Sequence, residues 1–119
     1  MSTQDAVIVS TARTPIGKAY RGAFNDTEAP VLGGHVIRHA LQKAGVEGHE
    51  VDDVILGIAA QQGNQGYNLG RLCCYTAGLP DSVGGMTIDR MCASGLMSIA
   101  TAAKGIMTGE MNIAVAGGL

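Results

Sequence analysis

The side chains with chemistry of their own fall into three groups: Cys92, the adjacent pair Cys73 and Cys74, and the histidines His35, His39 and His49. Cys92 lies within Gly84-Gly85-Met86-Thr87-Ile88-Asp89-Arg90-Met91-Cys92-Ala93-Ser94-Gly95-Leu96. Before it, Met86 and Ile88 alternate with more polar neighbours; after it, Leu96, Ile99, Ala100, Ala103 and Met107 follow the three-and-four spacing of one helical face. The period therefore changes from that of a strand to that of a helix at the cysteine. A cysteine in the first turn of a helix meets unpaired N–H groups and the positive end of the helix dipole, which both favour thiolate over thiol. A free thiol titrates near about 8.5, and such a position lowers that by about a unit or more. Cys92 is thus a candidate nucleophile; a buried cysteine packed as a small hydrophobe is the competing reading. Ser94 and Gly95 are poor mid-helix residues that suit a tight opening turn with close backbone approach.

The other groups point away from chemistry. His35 and His39 could share a helix face, but a metal needs a third ligand and no neighbour supplies one, so solvated or hydrogen-bonded imidazoles and no metal are expected. Cys73 falls on a helix face with Leu69, Leu72 and Thr76 and reads as core. Three cysteines, two of them adjacent, outline no disulfide framework. Arg13, Lys18 and Arg21 lie in a Pro- and Gly-containing loop and read as solvated cations rather than phosphate or CoA contacts, since no glycine-rich helix start follows. Gly63, Gly66 and Gly70 do not follow the dinucleotide fingerprint.

The elements that must position these residues alternate in type. The apolar run Ala6 to Ser10 predicts a buried strand. A helix capped by Asp26 or Thr27 follows, with Pro30 in its first turn, Leu32, Val36, Ala40, Leu41 and Ala44 on one face and Gly45 as its stop. Val51 to Ile58 predicts a strand, Asn68 to Ala77 a helix ended by Gly78 and Pro80, and Gly85 to Arg90 a strand. A helix from Cys92 to about Thr108 and a strand from Asn112 to Ala116 complete the order. This alternation is that of an α/β layer with a mostly parallel sheet, in which chemistry collects at the carboxyl ends of strands, where Cys92 stands.

The chain has 119 residues, 46% hydrophobic and 15% charged, with a net charge of -2, which describes one small globular unit rather than a disordered tail. That charge gives no reason to expect nucleic acid or an anionic membrane as partner. No apolar run is long enough to span a bilayer, and the first residues lack a leader pattern, so a cytoplasmic location is expected.

Asp89-Arg90-Met91-Cys92-Ala93-Ser94-Gly95-Leu96 resembles the thiolase active-site motif Asn-Arg-x-Cys-x-Ser-Gly-Leu, whose cysteine is acylated. Ala6 to Lys18 is similar to the family's opening strand and loop, Val51 to Gly57 to its second strand, Gln65 to Arg71 to its Gln-Gly-x-Asn-x-Ala-Arg segment, and Ala114 to Leu119 to its Val-Ala-Gly-Gly-Met. Four ordered matches beside the cysteine motif are far more specific than that motif alone.

The resemblance implies the N-terminal part of a thiolase-like fold, residues 1–119 standing for about the first third of a longer chain whose second half carries Gly-His-Pro and Cys-x-Gly-Gly motifs absent here. It implies reversible thiolytic cleavage or condensation of 3-ketoacyl-CoA through an acyl-Cys92 thioester with the Cys92 backbone N–H as an oxyanion donor, a place in fatty acid metabolism, coenzyme A as substrate, and no tightly bound cofactor. It also implies a homodimer or homotetramer, with Asn68 and Arg71 in a segment near the subunit contact. These residues alone are expected to show no turnover. Three positions depart from the pattern: Asp89 for Asn, Gly70 for Ala and Leu119 for Met. An ionised Asp89 would oppose a thiolate beside it unless a cation such as Arg90 meets it. A related condensing enzyme of the ketoacyl or hydroxymethylglutaryl-CoA synthase type, and a non-catalytic acyl-CoA or lipid carrier of the same fold, are the alternatives.

Overall fold

The computed structural model describes residues 4–119. Among these residues three α-helices alternate with three strands: α1 (Ala29–Ala44), β1 (Asp53–Gly57), α2 (Leu69–Ala77), β2 (Gly84–Ile88), α3 (Ser94–Met107) and β3 (Ala114–Gly118). The strands form one parallel sheet in the order β2-β1-β3, with Gly57 level with both Ile88 and Gly118. This is the expected α/β class. None of the described helices is long and apolar enough to cross a membrane.

A continuous apolar run explains the layers. β1 is central, so both of its faces need covering, and Val54, Ile55, Leu56 and the following Ile58 are all buried. Val54, Leu56 and Ile58 join a core with Ile37 and Leu41 of α1 and Leu69, Cys73 and Cys74 of α2. Gly57, of opposite parity, faces the start of α3. The crossovers through α2 and α3 thus cover opposite faces, and the direction of winding reverses after β2, from which the chain returns across β1 to β3.

α1 begins with Pro30 in its first turn and stops at Gly45, whose φ of 67° is in the left-handed region; Gly78 ends α2 in the same way at 77°. The two helices cross through glycines. A Cβ on Gly33 would lie 2.3 Å from Cys73 Sγ, and one on Gly34 2.3 Å from Thr76 Oγ1. Gly70 is just as constrained, since a Cβ there would fall 2.3 Å from the Met86 carbonyl oxygen. Alanine at this family position is therefore not interchangeable with glycine in this chain.

The expected strand Ala6 to Ser10 does not form. These residues run without strand pairing, and Val7, Ile8 and Val9 are more than 70% exposed. A short apolar run specifies a strand only where a neighbour supplies hydrogen-bond partners, and the three described strands pair only with one another. Boundaries move elsewhere by a residue or two. The first helix is preceded by Glu28 rather than capped by Asp26 or Thr27, β1 and β2 are shorter than expected, α3 starts at Ser94 instead of Cys92, and β3 is shifted two residues onward.

Asp52 ties the sheet together at its amino edge. Its carboxylate accepts the N–H groups of Asn112 (2.6 Å) and Ile113 (3.1 Å), while its own N–H and C=O bond Ile113 and Gly84 on the two flanking segments. The Asn112 and Ile113 N–H groups hold the carboxyl below its ordinary range. A carboxyl depressed on folding contributes stability at pH values above its unfolded value of about 4, and that contribution fades as pH falls through the folded value. Asp52→Asn is therefore expected to lower the urea midpoint at pH 7, and its gap from the parent protein is expected to narrow as pH falls below about 4. A constant gap across that range would show that the charge is not involved.

Candidate active site

The turn from β2 into α3 is held by its own side chains. After Ile88 the chain leaves the sheet, and the Asp89 carboxylate accepts the Met91 N–H at 2.8 Å. Met91 takes a φ of 50°, the left-handed region that costs a non-glycine residue about 1–2 kcal/mol. Ser94, buried at the helix start, offsets this with two bonds through one hydroxyl. Its oxygen accepts the Arg90 N–H at 2.8 Å and its O–H donates to the Met91 carbonyl at 2.5 Å. Backbone bonds from Ala93 to Arg90 and from Ser94 to Met91 close the turn.

Cys92 sits at the apex of this turn and is exposed. It precedes Ala93, which has no side chain able to cap the 14-residue helix α3, so that helix end presents its positive pole uncapped by any side chain. Among the described residues no acceptor meets the Cys92 N–H. No ion pair joins Asp89 to a cation among the described residues, where Arg71–Asp81 is the sole pair. Asp89 acts instead as the acceptor that bends the turn.

Glycines let the helix start approach the sheet. A Cβ on Gly57 would lie 2.1 Å from the Ser94 carbonyl, and one on Gly118 3.0 Å from Gly95 Cα. The carboxyl ends of β1 and β3 thus meet the first turn of α3 backbone to backbone. One turn further on, fully buried Ser98 donates within a shared contact to Gly95 O (2.7 Å) and Gly117 O (2.6 Å), pinning α3 to β3. The cysteine therefore stands outside the carboxyl edge where winding reverses, the place at which open α/β sheets bind ligands.

The other two thiols are unsuited to attack. Cys73 is fully buried, and burial, with Cys74 alongside, pushes its pKa up to about 11. Burial also raises Cys74, whose S–H reaches the carbonyls of Gly70 and Gly84. Thiolate is the reactive form, so neither competes with an exposed cysteine.

Asn68 and Arg71 lie at the start of α2 and are engaged within the chain. Tyr67 and Asn68 are both left-handed, each with φ of 56°. The Asn68 amide donates to Gly85 O and accepts from Thr87, whose oxygen accepts the Gly70 N–H. The Arg71 guanidinium donates to Val83 O, Asp81 O and the Tyr75 hydroxyl, and lies 4.5 Å from the Tyr75 ring centroid. Its Tyr75 bond comes first among the effects that raise its already high pKa. His35 and His39 are on α1 and His49 is in the turn before β1, and none bonds to the Cys92 turn.

The roles of Gly57, Ser94 and Asp89 escape sequence reading. Gly57 looks like an ordinary strand end, and only the neighbouring helix shows why a side chain is excluded. Ser94 carries a sequence signal as a serine at a predicted helix opening, but not the identity of its two partners.

An exposed cysteine stands at a strand-to-helix turn over the carboxyl edge of a parallel sheet, in a chain of the α/β class. The chain belongs to the thiolase family: the profile described as "Thiolase, N-terminal domain" matches residues 6–119. Among curated relatives it is 44% identical to the 3-ketoacyl-CoA thiolase of Bacillus subtilis (strain 168), over 97% of this chain and 29% of that protein. It is 46% identical to the acetyl-CoA acetyltransferase of Cupriavidus necator, over 96% of this chain and 28% of that protein. The crystal structure of the Bacillus anthracis acetyl-CoA acetyltransferase superposes with a TM-score of 0.92 at 39% identity, covering 98% of this chain and 29% of that one. The chain spans less than a third of the length of these relatives.

Proposed function

We propose that the protein containing these residues is a thiolase-type acyltransferase with Cys92 as its covalent nucleophile. The observation that carries this reading is the exposed Cys92 on a turn fixed by Asp89 and Ser94 in a thiolase-family chain. The Cys92 thiolate adds to the ketone carbon of a 3-ketoacyl-CoA. The carbon–carbon bond then breaks, and its electron pair leaves on acetyl-CoA as an enolate that takes up a proton. The acyl group stays on sulfur until the thiolate of free CoA attacks the thioester and restores the Cys92 thiolate. The Cys92 N–H lies beside the reacting sulfur and can donate to an oxyanion formed in either addition. Residues 1–119 form part of the N-terminal domain and supply the nucleophile; the base and proton carrier belong to the remainder of the protein. Coenzyme A is substrate rather than resident cofactor, and the metabolic setting is the breakdown or synthesis of fatty acyl chains in the cytoplasm.

The test is to incubate the full-length protein with acetyl-CoA and weigh its peptides. One acetyl group per chain, on the peptide holding Cys92 and removed by free CoA, is expected. Lack of label on an otherwise folded protein favours a carrier role.

The protein forms a homodimer or homotetramer in which the segment carrying Asn68 and Arg71 lies near the contact. Arg71 shapes that segment by joining α2 to the Asp81 to Val83 turn, so Arg71→Ala is expected to weaken association at least tenfold. Sedimentation at submicromolar concentration checks this, and an unchanged oligomer would exclude Arg71 from holding the contact.

A further inference from the structure

Charge is unevenly placed in this acidic chain. Five of its eight lysines and arginines, Arg13, Lys18, Arg21, Arg38 and Lys43, fall in the first 43 residues, and α1 itself contains no carboxylate. On α1, His35, His39 and Lys43 recur every four residues and so share one face. Arg13 comes up to the same face from the preceding loop. Together with Ala12, Val36 and Gln42 they line a cavity of about 500 Å³ that contains no acidic side chain.

The groups are already arranged. The His35 and His39 rings lie 4.2 Å apart between centroids, tilted by 39°. His39 Nδ1 is 2.9 Å from the His35 carbonyl oxygen, which can only accept, so Nδ1 carries a hydrogen and Nε2 is the atom left for a ligand. Lys43 Nζ is drawn towards the loop by the Thr11 carbonyl at 3.4 Å. Two cations around an acid-free cavity repel each other, and a protonated imidazole adds to that repulsion. An anion with several oxygens relieves that repulsion, and a tetrahedral oxyanion presents acceptors to donors converging from different directions.

We propose that Arg13, His35, His39 and Lys43 bind a phosphate-class oxyanion at a site on α1 that shares no residue with the Cys92 turn. Arg13 and Lys43 supply positive charge, and an imidazole that takes up a proton adds a charge and a second ring N–H donor to it. The charged groups facing the two rings are Arg13 from the loop and Lys43 from α1, both positive, so bound anion and imidazole protonation favour each other.

The test uses the full-length protein and radiolabelled sulfate in equilibrium dialysis at low ionic strength. Sulfate keeps its charge between pH 5.5 and 8, so any change in affinity belongs to the protein. One sulfate per chain at pH 5.5 is expected, with at least tenfold weaker binding at pH 8. Arg13→Gln/Lys43→Gln is expected to abolish binding. His35→Gln/His39→Gln is expected to retain the pH 8 affinity and lose the gain at pH 5.5, and Cys92→Ser to bind as the parent does. Displacement by 3′-phosphoadenosine at lower concentration than by inorganic phosphate assigns the site to a phosphorylated ribose; the reverse assigns it to the free ion. No stoichiometric sulfate at pH 5.5, or binding unaffected by the Arg13/Lys43 double variant with its circular dichroism unchanged, overturns the proposal.

Discussion

Cys92→Ser in the full-length protein is expected to reduce thiolytic turnover by about 10⁴-fold or more, equivalent to at least about 5 kcal/mol of transition-state stabilisation. Serine keeps the shape of the turn but replaces a thiolate with a hydroxyl that carries almost no anion near neutral pH. The loss should therefore fall on kcat while substrate binding stays close to that of the parent protein. Cys73→Ala and Cys74→Ala provide the contrast. Both thiols are buried with raised pKa values, and substituting either leaves a reactive Cys92 in place. Alkylation should follow the same division, with iodoacetamide modifying Cys92 in the native protein and Cys73 and Cys74 only after unfolding. Turnover that survives Cys92→Ser within tenfold would remove the covalent mechanism and leave the family and fold standing.

The sequence makes the frame of this site legible and leaves its finish hidden. Alternation followed by helical spacing places a strand, a turn and a helix around Cys92, because each period is a local property of the chain. The stops of α1 and α2 are equally local, since Gly45 and Gly78 take the left-handed conformation that glycine adopts freely. Ala6 to Ser10 shows the opposite case. Its composition is that of a strand, yet strand formation depends on a neighbour that composition cannot supply. Asp89 carries a second lesson. Read as a charge beside a thiolate it opposes catalysis, whereas its carboxylate is bound to the Met91 N–H and stabilises the left-handed residue on which the turn depends. Gly70 in sequence is only a glycine where the family has alanine, and the Met86 carbonyl oxygen 2.3 Å from where a methyl group would sit shows what the exchange would meet. In each case the missing information is the identity of a group distant in sequence.

Gly57 concentrates that dependence in one position, and Gly57→Ala is expected to damage both stability and activity. The new Cβ would lie 2.1 Å from the Ser94 carbonyl carbon and oxygen and 2.5 Å from Gly95 N, all backbone atoms that cannot rotate away. Two effects compete. Alanine restricts the unfolded chain more than glycine does, which favours folding by about 0.4–1 kcal/mol. Overpacking costs about 1–3 kcal/mol, and contact with backbone on two elements places this case towards the upper end. Overpacking wins, with a net loss of about 1–2 kcal/mol and a lower melting temperature. To relieve the contact, the start of α3 must withdraw from the sheet by about 1 Å, carrying with it Ser94, the Met91 turn and Cys92. A displacement of that size in a reacting group costs about 10²-fold in rate. The expected result is a folded Gly57→Ala protein whose kcat/KM has fallen about 10²-fold and whose Cys92 is acetylated correspondingly slowly. Gly45→Ala is the control: nothing lies within 4 Å of its Cβ position, so its left-handed φ of 67° makes it destabilising without touching the turn. If the two variants lose stability alike and both keep full activity, the backbone contact between Gly57 and Ser94 does not position the nucleophile.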